Sequence, residues 1–334
     1  MKQEDIKSLF ASFSHMKILV IGDIMLDSYT WGKVERISPE APVPVVSCTK
    51  KEHRLGGAGN VIVNLLSLGA KPVICSIIGN DESGFAIRKI LKDLKLEEKG
   101  LIVANNRPTT VKNRIISGSQ QLIRVDEESD KPMEKELEEK FIRNIGQLMD
   151  AEKFDAVIFQ DYDKGVITSS VISEVTNHAH DQEIPVLVDP KKRNFHLYKN
   201  VTLFKPNFHE FCNGLKYDLA KDDYEGIFQV AKDYQKINNI RYMLITLSDK
   251  GILISEGKQY WVLPAQEVKI ADVSGAGDTV ISVAALCLAR KLYPAGIAYI
   301  SNIAGGLVCE KVGVVPVDVR QLETVSMKMN WPEK

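Results

Sequence analysis

The sequence predicts an α/β protein: a mostly parallel central sheet flanked by helices, with a small β-sheet lobe inserted into it as a lid. Three observations carry this. Short apolar runs alternate with amphipathic stretches along most of the chain, two segments rich in proline or in strict alternation interrupt that order, and glycine-rich turns open helices at two places. Strand–helix alternation builds βαβ units, whose crossovers cover a parallel sheet on both faces.

The elements follow in chain order. Residues 17–21 (KILVI) read as a buried strand, as do 72–78, 156–159, 185–188, 202–204 and 243–246. Residues 132–150 read as a helix, with Pro132 near the first turn and Leu137, Phe141, Ile145 and Leu148 recurring at helical spacing. Residues 168–181 and 219–237 behave alike. Residues 33–49 carry three prolines and then β-formers, and 109–126 alternate apolar and polar around a Ser117-Gly118-Ser119 turn. Both read as strands of the small lobe, prolines belonging on edge strands. Pattern alone leaves two roles for it, a lid over a site or a surface hairpin. The charge-rich stretch 126–140 reads as a solvated loop and helix face rather than a boundary, so 1–334 is taken as a single domain.

Composition narrows the class. With 334 residues the chain is long enough for a large core. Forty-three Lys and Arg against 44 Asp and Glu give a net charge of −1, which argues against a nucleic-acid binder. Hydrophobic residues at 44% and charged residues at 26% exclude disorder and coiled coil as the main class. No apolar run reaches about 18 residues and no positive segment leads into an apolar one at the start, so neither a membrane span nor a signal peptide is expected, and the cytoplasm is the default location. Cys48, Cys75, Cys212, Cys287 and Cys309 are scattered without paired spacing. They suit neither a disulfide framework nor a zinc site, and most are expected in the core.

The strongest chemical signal is Asp272-Val273-Ser274-Gly275-Ala276-Gly277-Asp278-Thr279, followed by an apolar helix over 280–292. A glycine-rich turn feeding a helix gathers backbone N–H groups into an anion site, reinforced by the helix dipole. Asp278 would stand beside the bound anion. The residues alone leave two roles for it: a cap on the helix, or a base that takes a proton from an attacking hydroxyl in phosphoryl transfer. No GxxxxGK[ST] loop occurs, and the dinucleotide fingerprint is absent. Gly56-Gly57-Ala58-Gly59-Asn60 opens a second helix, its glycines allowing close approach and Asn60 offering both donor and acceptor. Asp23 and Asp27 follow the first strand, where open α/β sheets bind ligands, and carboxylates there suit polyol hydroxyls. Asn207 and Glu210 fit either water-mediated Mg²⁺ binding or a helix cap.

Taken together, Gly56-Gly57-x-x-Asn60, Asn207-x-x-Glu210 and Asp272-x-x-Gly275-Ala276-Gly277-Asp278 resemble the ribokinase/PfkB carbohydrate-kinase family over about residues 15–320. Within it, residues 22–27 and 36–45, Gln120–Asp126, Asp161-Tyr162-x-Lys164-Gly165 and Val188-Asp189-Pro190-Lys191 are similar to the kinases of bacterial ADP-heptose synthesis. That resemblance implies a ribokinase-like fold and ATP-dependent phosphorylation of the anomeric hydroxyl of D-glycero-β-D-manno-heptose 7-phosphate. Many such kinases are fused to a nucleotidyltransferase, and a chain of this length implies the kinase alone. It implies Asp278 as general base; the amides of Gly275, Ala276 and Gly277 as anion hole; Asn207 and Glu210 acting through Mg²⁺ and its waters; and Asp23, Asp27, Gly57, Asn60 and Asp189 at the sugar. Arg124, Lys164, Lys191 and Arg193 are candidates for the 7-phosphate; Lys205 before Pro206 is unusual for the family and would add a cation near the phosphates. Thr246, Gly251, Asn207 and Asn302 would border the nucleotide. A monovalent cation near Asp272 is left open, and pairing of lid sheets implies a homodimer. The rival readings are another kinase of the family, ribokinase- or fructokinase-like, and a non-catalytic sugar or nucleotide sensor on the same fold.

Overall fold

Ile18 to Ile21 are all essentially inaccessible to solvent, as a strand covered on both faces must be. Alternate residues serve different cores: Ile18 and Val20 face one, Leu19 and Ile21 the other. The same split recurs at Ile158 against Val157 and Phe159. The computed structural model describes residues 3–118, 120–266, 268–328 and 331–332. Ser119 of the expected lid turn lies outside them.

In chain order the elements are α1 (Gln3–Ser12), β1 (Lys17–Gly22), β2 (Ile24–Ile37), β3 (Pro44–Gly57), α2 (Ala58–Ser67), β4 (Lys71–Gly79), α3 (Glu82–Asp93), β5 (Leu101–Ala104), β6 (Val111–Ser117), β7 (Gln120–Glu127), α4 (Lys135–Ala151), β8 (Ala156–Gln160), α5 (Ser169–Asp181), β9 (Val186–Asp189), β10 (Leu203–Phe204), α6 (Phe208–Leu215), α7 (Tyr224–Asn238), β11 (Tyr242–Thr246), β12 (Ile252–Glu256), β13 (Gln259–Leu263), α8 (Ala276–Ala289), α9 (Pro294–Cys309) and α10 (Val319–Lys328). Among the described residues the main sheet runs β13-β12-β11-β10-β9-β8-β1-β4-β5 and a second sheet β3-β2-β6-β7. The main sheet is parallel up to β11, and β12 and β13 add an antiparallel edge. Helices α1 to α3 and α8 to α10 pack on one face, α4 to α7 on the other.

All six expected strands are present, and several expected boundaries move. The lid strands extend beyond 33–49: β2 leaves β1 after a single residue, Asp23, and β3 runs directly into α2. Pro39 and Pro42 sit in the hairpin tip and Pro44 starts β3, an edge strand whose first position tolerates a missing N–H. The 132–150 helix begins only at Lys135, with Glu134 as its cap residue, so Pro132 stands outside it. The 219–237 helix begins at Tyr224, where Asp223 accepts a hydrogen bond from Gly226 N–H. The cysteine expectation fails for three of five: Cys75 and Cys287 are buried, whereas Cys48 is exposed and Cys212 and Cys309 are half-buried.

Register fixes what the lid shows to the body. Asp27 opposes Arg54 and Lys112, Tyr29 opposes Glu52 and Arg114, Lys112 opposes Asp126, and Arg114 opposes Arg124. Opposed residues share a face of a pleated sheet. One lid face is therefore charged and aromatic. Ile123 and Val125, on the alternate face, are 53% and 45% exposed.

Candidate active site

Two helices begin side by side where the sheets meet. Gly57 (φ +58°) stands before α2 and Gly275 (φ +80°) before α8, and neither start has a side-chain cap. Three residues on, each helix carries a polar side chain, Asn60 and Asp278, and the two meet: Asn60 Nδ2 donates to Asp278 Oδ2 at 2.7 Å. Behind them Thr279 Oγ1 and the Val317 N–H both donate to Asn64 Oδ1, which stitches α2 to α8. Gly275 takes a positive φ that favours glycine, and an added Cβ would lie 2.7 Å from Asn60 Nδ2, which would have to move.

Asp278 is 4% exposed. Its Oδ1 accepts hydrogen bonds from the Tyr162 hydroxyl at 2.7 Å and from Gln160 Nε2 at 3.0 Å. Among the described residues its carboxylate accepts nothing from its own helix, so the capping role is not the one the structure displays. Burial is the main influence on this carboxyl and Asp189 adds to it; against the hydrogen bonds and the charge of Lys205, these push its pKa up to about 6. Asp189 in turn pairs with Lys205 at 3.0 Å and accepts from Gln160 Nε2 at 3.3 Å. A Cβ built on Gly277 would lie 3.5 Å from Lys205 Nζ. A buried cation thus stands beside the first turn of α8, whose leading N–H groups lack helical partners. Ala276 N–H is the exception, closing a turn onto Val273 O at 3.3 Å.

The remaining sequence candidates divide. Asp27 is buried and ion-paired with Arg114. Asp23 is spent on backbone: it accepts from the N–H groups of Tyr162, Lys164 and Val166 at 2.9, 3.2 and 3.1 Å, which shapes the loop after β8. Burial raises its pKa despite those bonds. Gly57 is required by its neighbour, since a Cβ would meet Asp23 O at 2.3 Å. Of the four phosphate candidates each faces an acid: Arg124 with Asp126, Lys164 with Glu128, Lys191 with Glu210 and Arg193 with Asp130. Lys191 is held up to about 12 by Asp189 and Glu210 against its burial.

Asn207 and Glu210 form a capping box on α6, Glu210 N–H donating to Asn207 Oδ1 at 2.8 Å and Asn207 N–H to Glu210 Oε2 at 2.9 Å. No three His, Cys, Asp or Glu side chains cluster as a metal cage among the described residues. Thr246 bridges to Asn207 between neighbouring strand ends. Gly251 is fixed by a backbone approach, a Cβ there lying 2.0 Å from Leu263 O. Asn302 Nδ2 donates to Pro264 O at 2.7 Å. Asp272 accepts from the N–H groups of Ser274 and Gly313, which outweigh its burial and lower its pKa.

Three participants were given no role from the sequence: Gln160, Lys112 and Tyr162, the last quoted only within the Asp161-Tyr162-x-Lys164-Gly165 resemblance. Lys112 Nζ lies 5.4 Å from the centre of the Tyr162 ring, and desolvation lowers its pKa despite Asp27. The parity of the 109–126 strand is the signal that could have found it, for Lys112 shares a face with Arg114 and, across the register, with Asp27.

A mostly parallel sheet, a lid sheet and a buried carboxylate at a glycine-opened helix start together define a sugar-kinase scaffold. The family model described as pfkB family carbohydrate kinase matches residues 16–319. The chain belongs to that family, phosphotransferases acting on a sugar hydroxyl. A bifunctional protein HldE of Campylobacter jejuni is 41% identical over 320 residues, covering 94% of this chain and 66% of the relative. One of Campylobacter curvus is 36% identical, covering 92% and 64%. This chain therefore spans about two thirds of the length of these relatives. Among solved structures, Escherichia coli phosphofructokinase-2 in complex with potassium superposes with a TM-score of 0.78 at 17% identity, covering 94% of this chain and 98% of that one. Arabidopsis thaliana ribokinase complexed with ribose and ATP gives 0.70 at 18%, covering 94% and 99%. These show the ribokinase-like fold. No helix among the described residues is long and apolar enough to cross a membrane.

Proposed function

We propose that this chain transfers the γ-phosphoryl group of ATP to the anomeric hydroxyl of D-glycero-β-D-manno-heptose 7-phosphate, a step toward ADP-heptose for the lipopolysaccharide core. The observation that carries the chemistry is Asp278: a carboxylate with pKa about 6, buried in the first turn of α8 beside a buried cation, Lys205. It is ionised at neutral pH yet basic enough to take a proton from a hydroxyl as the bond to phosphorus forms. The Gly275 and Gly277 amides and Lys205 stabilise the charge on the phosphoryl oxygens. The HldE relatives support the heptose, and Lys112 and Lys191, which flank the Tyr162 ring beside Asp278, support an acceptor that already carries a phosphate.

Mg²⁺ fits as a hydrated ion carried on the nucleotide, because the single carboxylate of Glu210 is already shared with a backbone N–H and Lys191 and offers no cage. When bound it supplies charge neutralisation at the phosphates. The lid excludes water from the reacting groups, and its exposed Ile123 and Val125 suit pairing with a second copy of this chain. The cytoplasm, where ATP is supplied, is the compartment this reading requires. An ADP-release assay across heptose 7-phosphate, ribose, fructose and fructose 6-phosphate tests the substrate: the heptose should turn over with the highest kcat/KM. Preference for ribose or fructose would transfer the chain to another branch of the family, and silence on every sugar would favour a sensor.

A further inference from the structure

Asp278 offers about four lone-pair positions, two on each oxygen. Oδ1 is full: it accepts from Tyr162 at 2.7 Å and from Gln160 at 3.0 Å. Among the described residues Oδ2 accepts only from Asn60, at 2.7 Å. The two oxygens are therefore not equivalent, and one residue does most to separate them. Gln160 Nε2 divides its reach between Asp278 and Asp189. Tyr162 has a single proton and gives it to Oδ1. Burial, with Asp278 and Asp189 nearby, raises the phenol well above its ordinary pKa, so it stays a donor.

The ring is also held in place. Its backbone N–H donates to Asp23 Oδ2 at 2.9 Å. Lys112 Nζ and Lys191 Nζ lie 5.4 and 5.5 Å from its centre, within cation–π reach. Lys112 belongs to lid strand β6, whereas Lys191 follows β9 and is tied to Glu210 at the start of α6. The tyrosine thus joins the lid and the body to the acid.

We propose that Tyr162 is a positioning residue that, with Gln160, saturates Oδ1 of Asp278 and leaves Oδ2 as the oxygen that takes the proton from the acceptor hydroxyl. This rests on Asp278 being the base. The balance is simple: the acceptor O–H bond breaks, its proton goes to Asp278 Oδ2, and its oxygen bonds to the phosphorus as the bond to the leaving nucleotide diphosphate breaks. The charged and titratable groups around the pair are Asp189 and Lys205 facing Asp278, and Lys112, Lys191, Asp189 and Asp27 facing Tyr162. Of these, Lys205 and the hydrogen bonds from Asn60 and Tyr162 favour the carboxylate, while burial and Asp189 oppose it.

Tyr162→Phe keeps the ring and its lysine contacts and removes only the donor. The test is a ¹³C titration of the Asp278 carboxyl in the whole chain without ligands, the signal being assigned by its loss in Asp278→Asn, together with the pH profile of kcat. The expected result is an Asp278 titration about one pH unit higher in Tyr162→Phe. The acid limb of kcat should move by the same amount, an about fivefold loss near pH 6 that approaches tenfold below pH 5 and closes by pH 8, with KM for the sugar little changed. An Asp278 signal that titrates at the wild-type pH overturns the proposal, as does a loss of kcat equal at every pH. Turnover surviving in Asp278→Asn would remove the base itself, and so separates failure of that reading from failure of this one.

Discussion

Gly57-Ala58-Gly59-Asn60 and Gly275-Ala276-Gly277-Asp278 are the same helix start written twice, 218 residues apart in their last members. Both begin on a glycine of positive φ, both lack a side-chain cap, and both send their fourth residue inward. They differ in one atom pair, an amide against a carboxylate. The difference teaches what each is for. The α2 copy supplies a neutral donor that can sit against a charge without repelling it, and the α8 copy supplies the charge. Two carboxylates at this contact could not both ionise, and two amides would leave no carboxylate to act as the proposed base. One junction frames the other.

The largest effect should come from erasing that difference. Asp278→Asn makes both starts neutral and keeps the shape. Turnover should fall by about 10²–10⁴-fold, with ATP affinity by calorimetry close to wild type; near-normal kcat would end the assignment. In the wild type kcat should drop about tenfold per unit below the carboxyl's pKa of about 6, because the base is then protonated. Erasing the difference the other way, Asn60→Asp, brings two carboxyls together that must share a proton. The acid limb should rise by about two units, costing about tenfold at pH 7 and recovering with added alkali. A pH profile superimposable on the wild type would show that the two side chains do not sense each other.

The two starts also divide what could be read in advance. Both glycine runs were legible as anion- or ligand-approaching helix junctions, and the buried strands were legible because parallel strands covered on both faces are continuous apolar runs, as at Ile18–Ile21. The antiparallel edge β12–β13 was not, since the 243–246 strand turns at Gly251 without any change of composition. Asp278 could be ranked only as cap or base, because its partners Asn60, Gln160 and Tyr162 lie 218, 118 and 116 residues away. Asp23 was legible only in part, for a related reason. Its place after β1 suits a sugar ligand, yet its oxygens meet three backbone N–H groups of a loop that only the fold brings near. Lys112 belongs to no motif, and Tyr162 stands in one that assigns it no role; both become informative only once Lys112 of β6 lies over the Tyr162 ring after β8.

The smallest effects come from the glycines, and they separate the junctions by what stands in front of each. An alanine at either site meets a positive φ that costs an L-residue about 1–3 kcal/mol. At Gly57 the new Cβ would lie 2.3 Å from Asp23 O, a backbone atom pinned between two sheets that cannot yield. At Gly275 it would lie 2.7 Å from Asn60 Nδ2, the end of a side chain that can swing. Gly57→Ala should therefore be the more damaging to stability, by about 3 kcal/mol against about 1–2 for Gly275→Ala in urea midpoints. Turnover should reverse that order per unit of stability lost, because the movement that relieves Gly275→Ala withdraws Asn60 from Asp278. Equal stability losses would mean that positive φ alone sets the cost at both sites. A Gly275→Ala enzyme with undiminished kcat would mean that the Asn60 contact serves packing of α2 against α8 rather than the base.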